Sequence, residues 1–117
     1  MTAAGAPTIA ILDYGMGNLR SAEKAFEHVG ASAPITHDND LVGAPDGVVL
    51  PGVGAFPKAM AAVRELGLDA LLRERRDAGV PILGLCLGMQ LLYEGSDEHG
   101  GAEGIGLLAG RIEALDA

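Results

Sequence analysis

Residues 81–95 read PILGLCLGMQLLYEG. An aliphatic run enters Gly84-Leu85-Cys86-Leu87-Gly88, and the helix-prone stretch MQLLYE follows at once. A short apolar run without polar alternation is the pattern of a strand covered on both faces, as parallel sheets require. Small residues two before and two after a nucleophile let a strand and a helix meet at a sharp turn. This is the nucleophile-elbow pattern, with Cys in place of Ser. A strand that runs straight into a helix is one βα unit, so the segment predicts an α/β fold.

Similar runs recur along the chain at residues 8–13 (TIAILD), 33–37 (APITH) and 47–51 (GVVLP). Between them, Leu19, Ala22, Phe26 and Val29 repeat at three- and four-residue steps before Gly30. Leu68, Leu71, Leu72 and Ala78 do so before Gly79, with residues 73–77 on the wet side. Strand–helix–strand alternation with compact turns means parallel strands joined by right-handed crossovers. The expected architecture is an open, mostly parallel, doubly wound sheet of flavodoxin-like type. Residues 1–7 read as a flexible arm and residues 8–117 as one domain, with a polar, Gly-rich loop at 94–104. Residues 104–116 suggest one or two further strands bent at Gly110. The chain then stops without a helix to cover them, which suggests a fragment truncated at its C-terminus.

Composition narrows the function classes. Of 117 residues, 49% are hydrophobic, and 16 acidic against 8 basic side chains give a formal charge of -8. Nucleic acid and anionic membranes call for clustered Lys and Arg, so neither is an expected partner. No apolar run approaches the ~20 residues of a membrane span, and the N-terminus lacks a basic leader region. One cysteine excludes an internal disulfide framework and a multi-Cys zinc site. A cytoplasmic domain that uses neither metal nor cofactor is the expectation.

The chemistry concentrates around Cys86. A thiol at a strand-to-helix turn sits at the carboxyl edge of the sheet, where open α/β folds bind ligands. The positive end of a helix favours the thiolate that attacks carbonyls. The Leu87 N–H is placed to donate to an oxyanion formed on the attacked carbon. A second segment, Leu50-Pro51-Gly52-Val53-Gly54-Ala55-Phe56, brackets Val53 with glycines, whose freedom lets the peptide there point its N–H into the same pocket. Gln90 follows Cys86 by one helical turn, and its amide suits the polar end of an amino-acid substrate. An ordinary turn at 50–56 and a solvated Gln90 fit the spacing as well.

Together these segments, with Asp13-Tyr14-Gly15-Met16-Gly17-Asn18-Leu19-Arg20-Ser21 after the first strand and Glu94-Gly95-Ser96, Gly104-Ile105-Gly106-Leu107-Leu108 and Gly110 later, resemble the class I (triad) glutamine amidotransferases. Within that family the chain is similar to the glutaminase subunits of imidazole glycerol phosphate synthases, which serve histidine biosynthesis. The resemblance implies that Cys86 is the nucleophile on the side-chain amide of glutamine, releasing ammonia and leaving a thioester for water. It implies that the amides of Val53 and Leu87 form the oxyanion hole, with reorientation of the Gly52–Val53 peptide as the activating step. Gly52, Gly54 and Gln90 would hold substrate, and Asn18 would face a heterodimer partner, the cyclase/synthase (β/α)-barrel subunit that receives the ammonia. The family also needs a His oriented by a Glu from a later segment. His28, His37 and His99 lack that context, so the isolated chain is expected to be inactive.

Three alternatives stay open at this stage. Gly15-Met16-Gly17 with Asp38 suggests a dinucleotide site, although Arg20 stands where that pattern wants its third glycine. The elbow also fits another cysteine hydrolase or a glyoxalase-like protein. A non-catalytic binding domain needs no base.

Overall fold

The computed structural model describes residues 6–36 and 45–115. Four short strands, β1 (Ile9–Leu12), β2 (Ile35–Thr36), β3 (Gly47–Leu50) and β4 (Ile82–Gly84), form one sheet in the order β2-β1-β3-β4. Every pairing is parallel, with Ala10 opposite Val48 and Val49 opposite Leu83. This is the doubly wound order expected from the alternating runs. The chain leaves β1 toward β2, then crosses back to β3 on the other side. The ends of β1 and β3 therefore flank a topological switch point, where such sheets open a crevice.

Period-two alternation sorts the apolar runs onto two faces. Ala10, Leu12, Val48 and Leu50 join the larger core under α2 (Phe56–Glu65), α3 (Leu68–Asp77) and α4 (Leu87–Leu91), while Ile11 and Val49 point to α1 (Leu19–His28). The Phe56, Ala59, Met60 and Val63 stripe of α2, which sequence reading did not draw out, is buried throughout. Pro57 opens that helix, at a position where the missing N–H has no intrahelical role.

Several expectations need correction. Strand β4 is covered on one face only: Leu83 is 48% exposed, because α1 is the one helix packed on that side among the described residues and it does not reach the edge. Val29 and Ala78 follow the last turns of α1 and α3 as C-caps, and both are exposed, Val29 at 76%. The expected polar loop at 94–104 is structured. There β5 (Gly95–Ser96) pairs antiparallel with β6 (Ala102–Glu103) across a 3₁₀ turn at Glu98–Gly100, and parallel with β7 (Arg111–Ile112). Its polar composition hid strands only two residues long, held by backbone pairing, with Arg111 bridging Asp97 and Glu103 at the surface. The bend at Gly110 is present, with φ 110. Of the expected arm, residues 1–5 lie outside the described residues, and the Pro7 carbonyl accepts the Ser32 N–H at 2.9 Å.

Candidate functional site

Cys86 stands between the end of β4 and α4 with φ 55 and ψ -120, the one non-glycine residue at positive φ among those described. Such a conformation costs on the order of 1–3 kcal/mol and persists only where the surroundings impose it. The two glycines of the elbow show what imposes it. A Cβ at Gly88 would run into the Leu50 carbonyl, and one at Gly84 would lie 2.5 Å from Met89 Cα. Strand β4, the end of β3 and the helix start are thus in backbone contact. Leu85 N–H donates to Leu50 O at 2.9 Å, and Met89 N–H to Cys86 O at 3.0 Å, which closes the turn. Cys86 is exposed. It opens onto a groove of about 300 Å³ shared with Asn18, Ser21, Pro51, Gly52, Val53 and Leu85.

The segment after β3 faces that thiol. The Gly52 carbonyl accepts the Leu87 N–H at 3.2 Å, so in this arrangement the amide next to Cys86 is engaged by the protein itself. Val53 is 56% exposed. Gly54 follows at φ 102, and a Cβ there would lie 3.0 Å from Met16 Cε. One peptide upstream, the Pro51 carbonyl accepts a hydrogen bond from the buried Tyr14 hydroxyl. Burial pushes the Tyr14 phenol up to about 12, because a phenolate there would be stranded from water. Tyr14 stands in the motif after β1 but receives no role from sequence. The available signal is its place directly beyond an apolar strand, where a buried hydroxyl must find an acceptor.

The remaining sequence candidates are scattered unevenly around the groove. Asn18 caps α1 through Oδ1, which accepts the Ser21 N–H at 3.3 Å, and it also borders a larger open cleft of about 650 Å³ with Asp13, Gly17, Arg20 and Val53. Gln90 is half-buried on α4 and is not among the residues lining the Cys86 groove. His28 is exposed at the far end of α1, ten residues and about 15 Å along the axis from its Asn18 cap. His37 and Asp38 lie outside the described residues, and His99 falls in the 3₁₀ turn. Arg20 is ion-paired with Glu23 at 2.8 Å. Among the described residues no group of three His, Cys, Asp or Glu is arranged to hold a metal, and no helix is long and apolar enough to cross a membrane.

An exposed thiol on a strained turn, beside a glycine-flanked peptide and a groove of side-chain size, has the geometry for attack on a small carbonyl compound. Comparison with known proteins gives that geometry a family. The profile described as glutamine amidotransferase class-I matches residues 10–102. The imidazole glycerol phosphate synthase subunit HisH of Bacillus cereus (strain G9842) is 54% identical over 107 residues, covering 92% of this chain and 51% of that protein. HisH of Moorella thermoacetica is 50% identical over 109 residues, with 93% and 52% covered. The chain therefore spans about half the length of the curated relatives it matches. Among solved structures, a crystal structure of glutamine amidotransferase superposes with TM-score 0.76 at 21% identity, over 90% of this chain and 55% of that one. A putative peptidase E from Listeria monocytogenes EGD-e does so at 0.66 and 15% identity, over 76% and 50%. These two likenesses concern the fold alone.

Proposed function

The chain belongs to the class I glutamine amidotransferase family, and we propose that it carries the nucleophile and oxyanion elements of a glutaminase that supplies ammonia for imidazole glycerol phosphate synthesis. The single observation that carries this reading is the conformation of Cys86, held at φ 55 by two glycines whose Cβ positions are occupied by backbone. A structural cysteine needs no such turn.

In the proposed reaction the Cys86 thiolate adds to the side-chain carbonyl carbon of glutamine, and the carbonyl oxygen becomes an oxyanion. The C–N bond then breaks, its nitrogen leaves as ammonia after taking a proton, and a glutamyl thioester remains. Water hydrolyses the thioester to glutamate and restores the thiol. The Leu87 amide can serve the oxyanion once the Gly52 carbonyl leaves it. A turn of the Gly52–Val53 peptide does this and presents the Val53 N–H as a second donor. Gly52, Gly54 and Gln90 are proposed to hold substrate after that rearrangement. Asn18, at the mouth of both clefts, is proposed to face a (β/α)-barrel synthase subunit that consumes the ammonia.

The proton transfers require a base, and His28 is at the wrong end of α1 to supply it. The family's His and Glu would come from a later segment, so the 117-residue chain is proposed to acylate and to turn over poorly. Losing one member of such a unit commonly costs orders of magnitude. A glutamine-shaped chloroketone tests the reading. It should alkylate Cys86 faster than iodoacetamide does at equal intrinsic reactivity, and L-glutamine should protect. Equal rates with no protection by glutamine would favour a cysteine hydrolase of another class.

A further inference from the structure

Two successive carbonyls of the segment after β3 are each held by one donor. The Pro51 carbonyl takes the Tyr14 hydroxyl, and the Gly52 carbonyl takes the Leu87 N–H. The Tyr14 ring is packed in the main core, so its hydroxyl comes up from beneath the strand and has little freedom. The space around Gly52 is equally closed. A Cβ there would strike the Tyr14 hydroxyl and approach Gly88 N to 3.0 Å and Leu87 Cβ to 3.2 Å. The Pro51–Gly52 peptide is therefore fixed at both its carbonyl and its α-carbon. Immediately beyond it the chain loosens, with Val53 exposed and Gly54 in a conformation that only glycine adopts readily.

We propose that Tyr14 is a positioning residue: by fixing the Pro51 carbonyl, its hydroxyl seats the Gly52 carbonyl on the Leu87 amide and holds the pocket in its resting form. The functional meaning rests on the glutaminase reading, in which the Leu87 amide must be vacated to receive an oxyanion. Tyr14 acts through the Pro51–Gly52 segment after β3 and does not touch substrate. Its raised phenol pKa keeps it a neutral donor across the physiological range. Loss of the hydroxyl leaves a buried carbonyl without its donor, which the Pro51–Gly52 segment relieves by shifting. The Gly52–Leu87 bond is the next contact along and is the one that weakens.

The test compares the 117-residue chain with its Tyr14→Phe variant by amide hydrogen exchange resolved by NMR. The Leu87 amide should exchange about tenfold faster in the variant, the scale of one lost hydrogen bond. The Ile11 and Val49 amides, deep in the sheet, should keep their wild-type rates. Unchanged exchange at Leu87 would overturn the proposal. So would a parallel acceleration at Ile11 and Val49, which would show that the hydroxyl merely supports the fold. A second arm measures Cys86 alkylation by the glutamine-shaped chloroketone relative to iodoacetamide, where the ratio should rise in the variant as the amide is freed. Absence of glutamine preference in both proteins counts against the glutaminase reading alone, since the Leu87 exchange ratio decides the role of Tyr14 by itself.

Discussion

The two strand-to-helix junctions that meet at the groove are built on opposite principles. The β4–α4 junction is fixed by contact: its glycines have backbone where a side chain would be, and Cys86 is forced to positive φ. The β3–α2 junction is fixed by two hydrogen bonds, from Tyr14 to Pro51 and from Leu87 to Gly52, and ends in an exposed Val53. Steric constraint cannot be exchanged for anything else, whereas a hydrogen bond to an amide can be traded for a bond to a ligand. In the proposed function the nucleophile and one oxyanion donor, the Leu87 amide, therefore sit on the junction fixed by contact, and the second donor, the Val53 amide, on the one held by hydrogen bonds.

The largest effect should come from crowding the rigid junction. Gly88→Ala places a methyl against the Leu50 carbonyl, so backbone must shift. A loss of about 4 kcal/mol or more is expected, read as loss of a cooperative urea transition. Next, the hydrogen-bonded junction should carry a pH signature. An unfolded tyrosine releases its proton near 10, while native Tyr14 keeps its proton to about 12. In that window the unfolded chain binds fewer protons, so stability present below pH 10 falls as pH rises through 12. The loss is about 2–3 kcal/mol, and Tyr14→Phe should lack it when both proteins are followed by urea unfolding. The smallest effect is a gain. Cys86→Gly relieves roughly 1–3 kcal/mol of strain against glycine's own entropic cost of about 0.5–1 kcal/mol. It should raise stability by about 1 kcal/mol while removing the thiol; a clear decrease would show that Cys86 is not strained.

The contrast between the junctions also marks what could be read without coordinates. The rigid one was legible, because Gly84, Cys86 and Gly88 at fixed spacing after an aliphatic run suit a strained strand-to-helix turn and little else. The parallel sheet followed from the same kind of run. The hydrogen-bonded junction was legible only as a glycine-flanked valine. Which carbonyl faces which amide depends on contacts between Gly52 and Leu87, and between Tyr14 and Pro51, that are 35 and 37 residues apart in sequence. Local pattern carries no information at that range. The short strands at Gly95–Ser96 and Ala102–Glu103 were missed for a related reason. Two residues show no periodicity, and what holds them is backbone pairing within a three-stranded sheet completed by β7. Periodicity overreached at Val29, since spacing alone does not say where a helix stops.

In the proposed function the Cys86 sulfur attacks the amide of glutamine. Because the chain is proposed to acylate faster than it deacylates, the most direct measurement is intact and peptide-level mass spectrometry after acid quenching of the protein with L-glutamine. A glutamyl thioester accumulating on Cys86, and absent from Cys86→Ala, is the predicted result. A folded protein whose Cys86 stays unmodified after prolonged incubation with glutamine would contradict it.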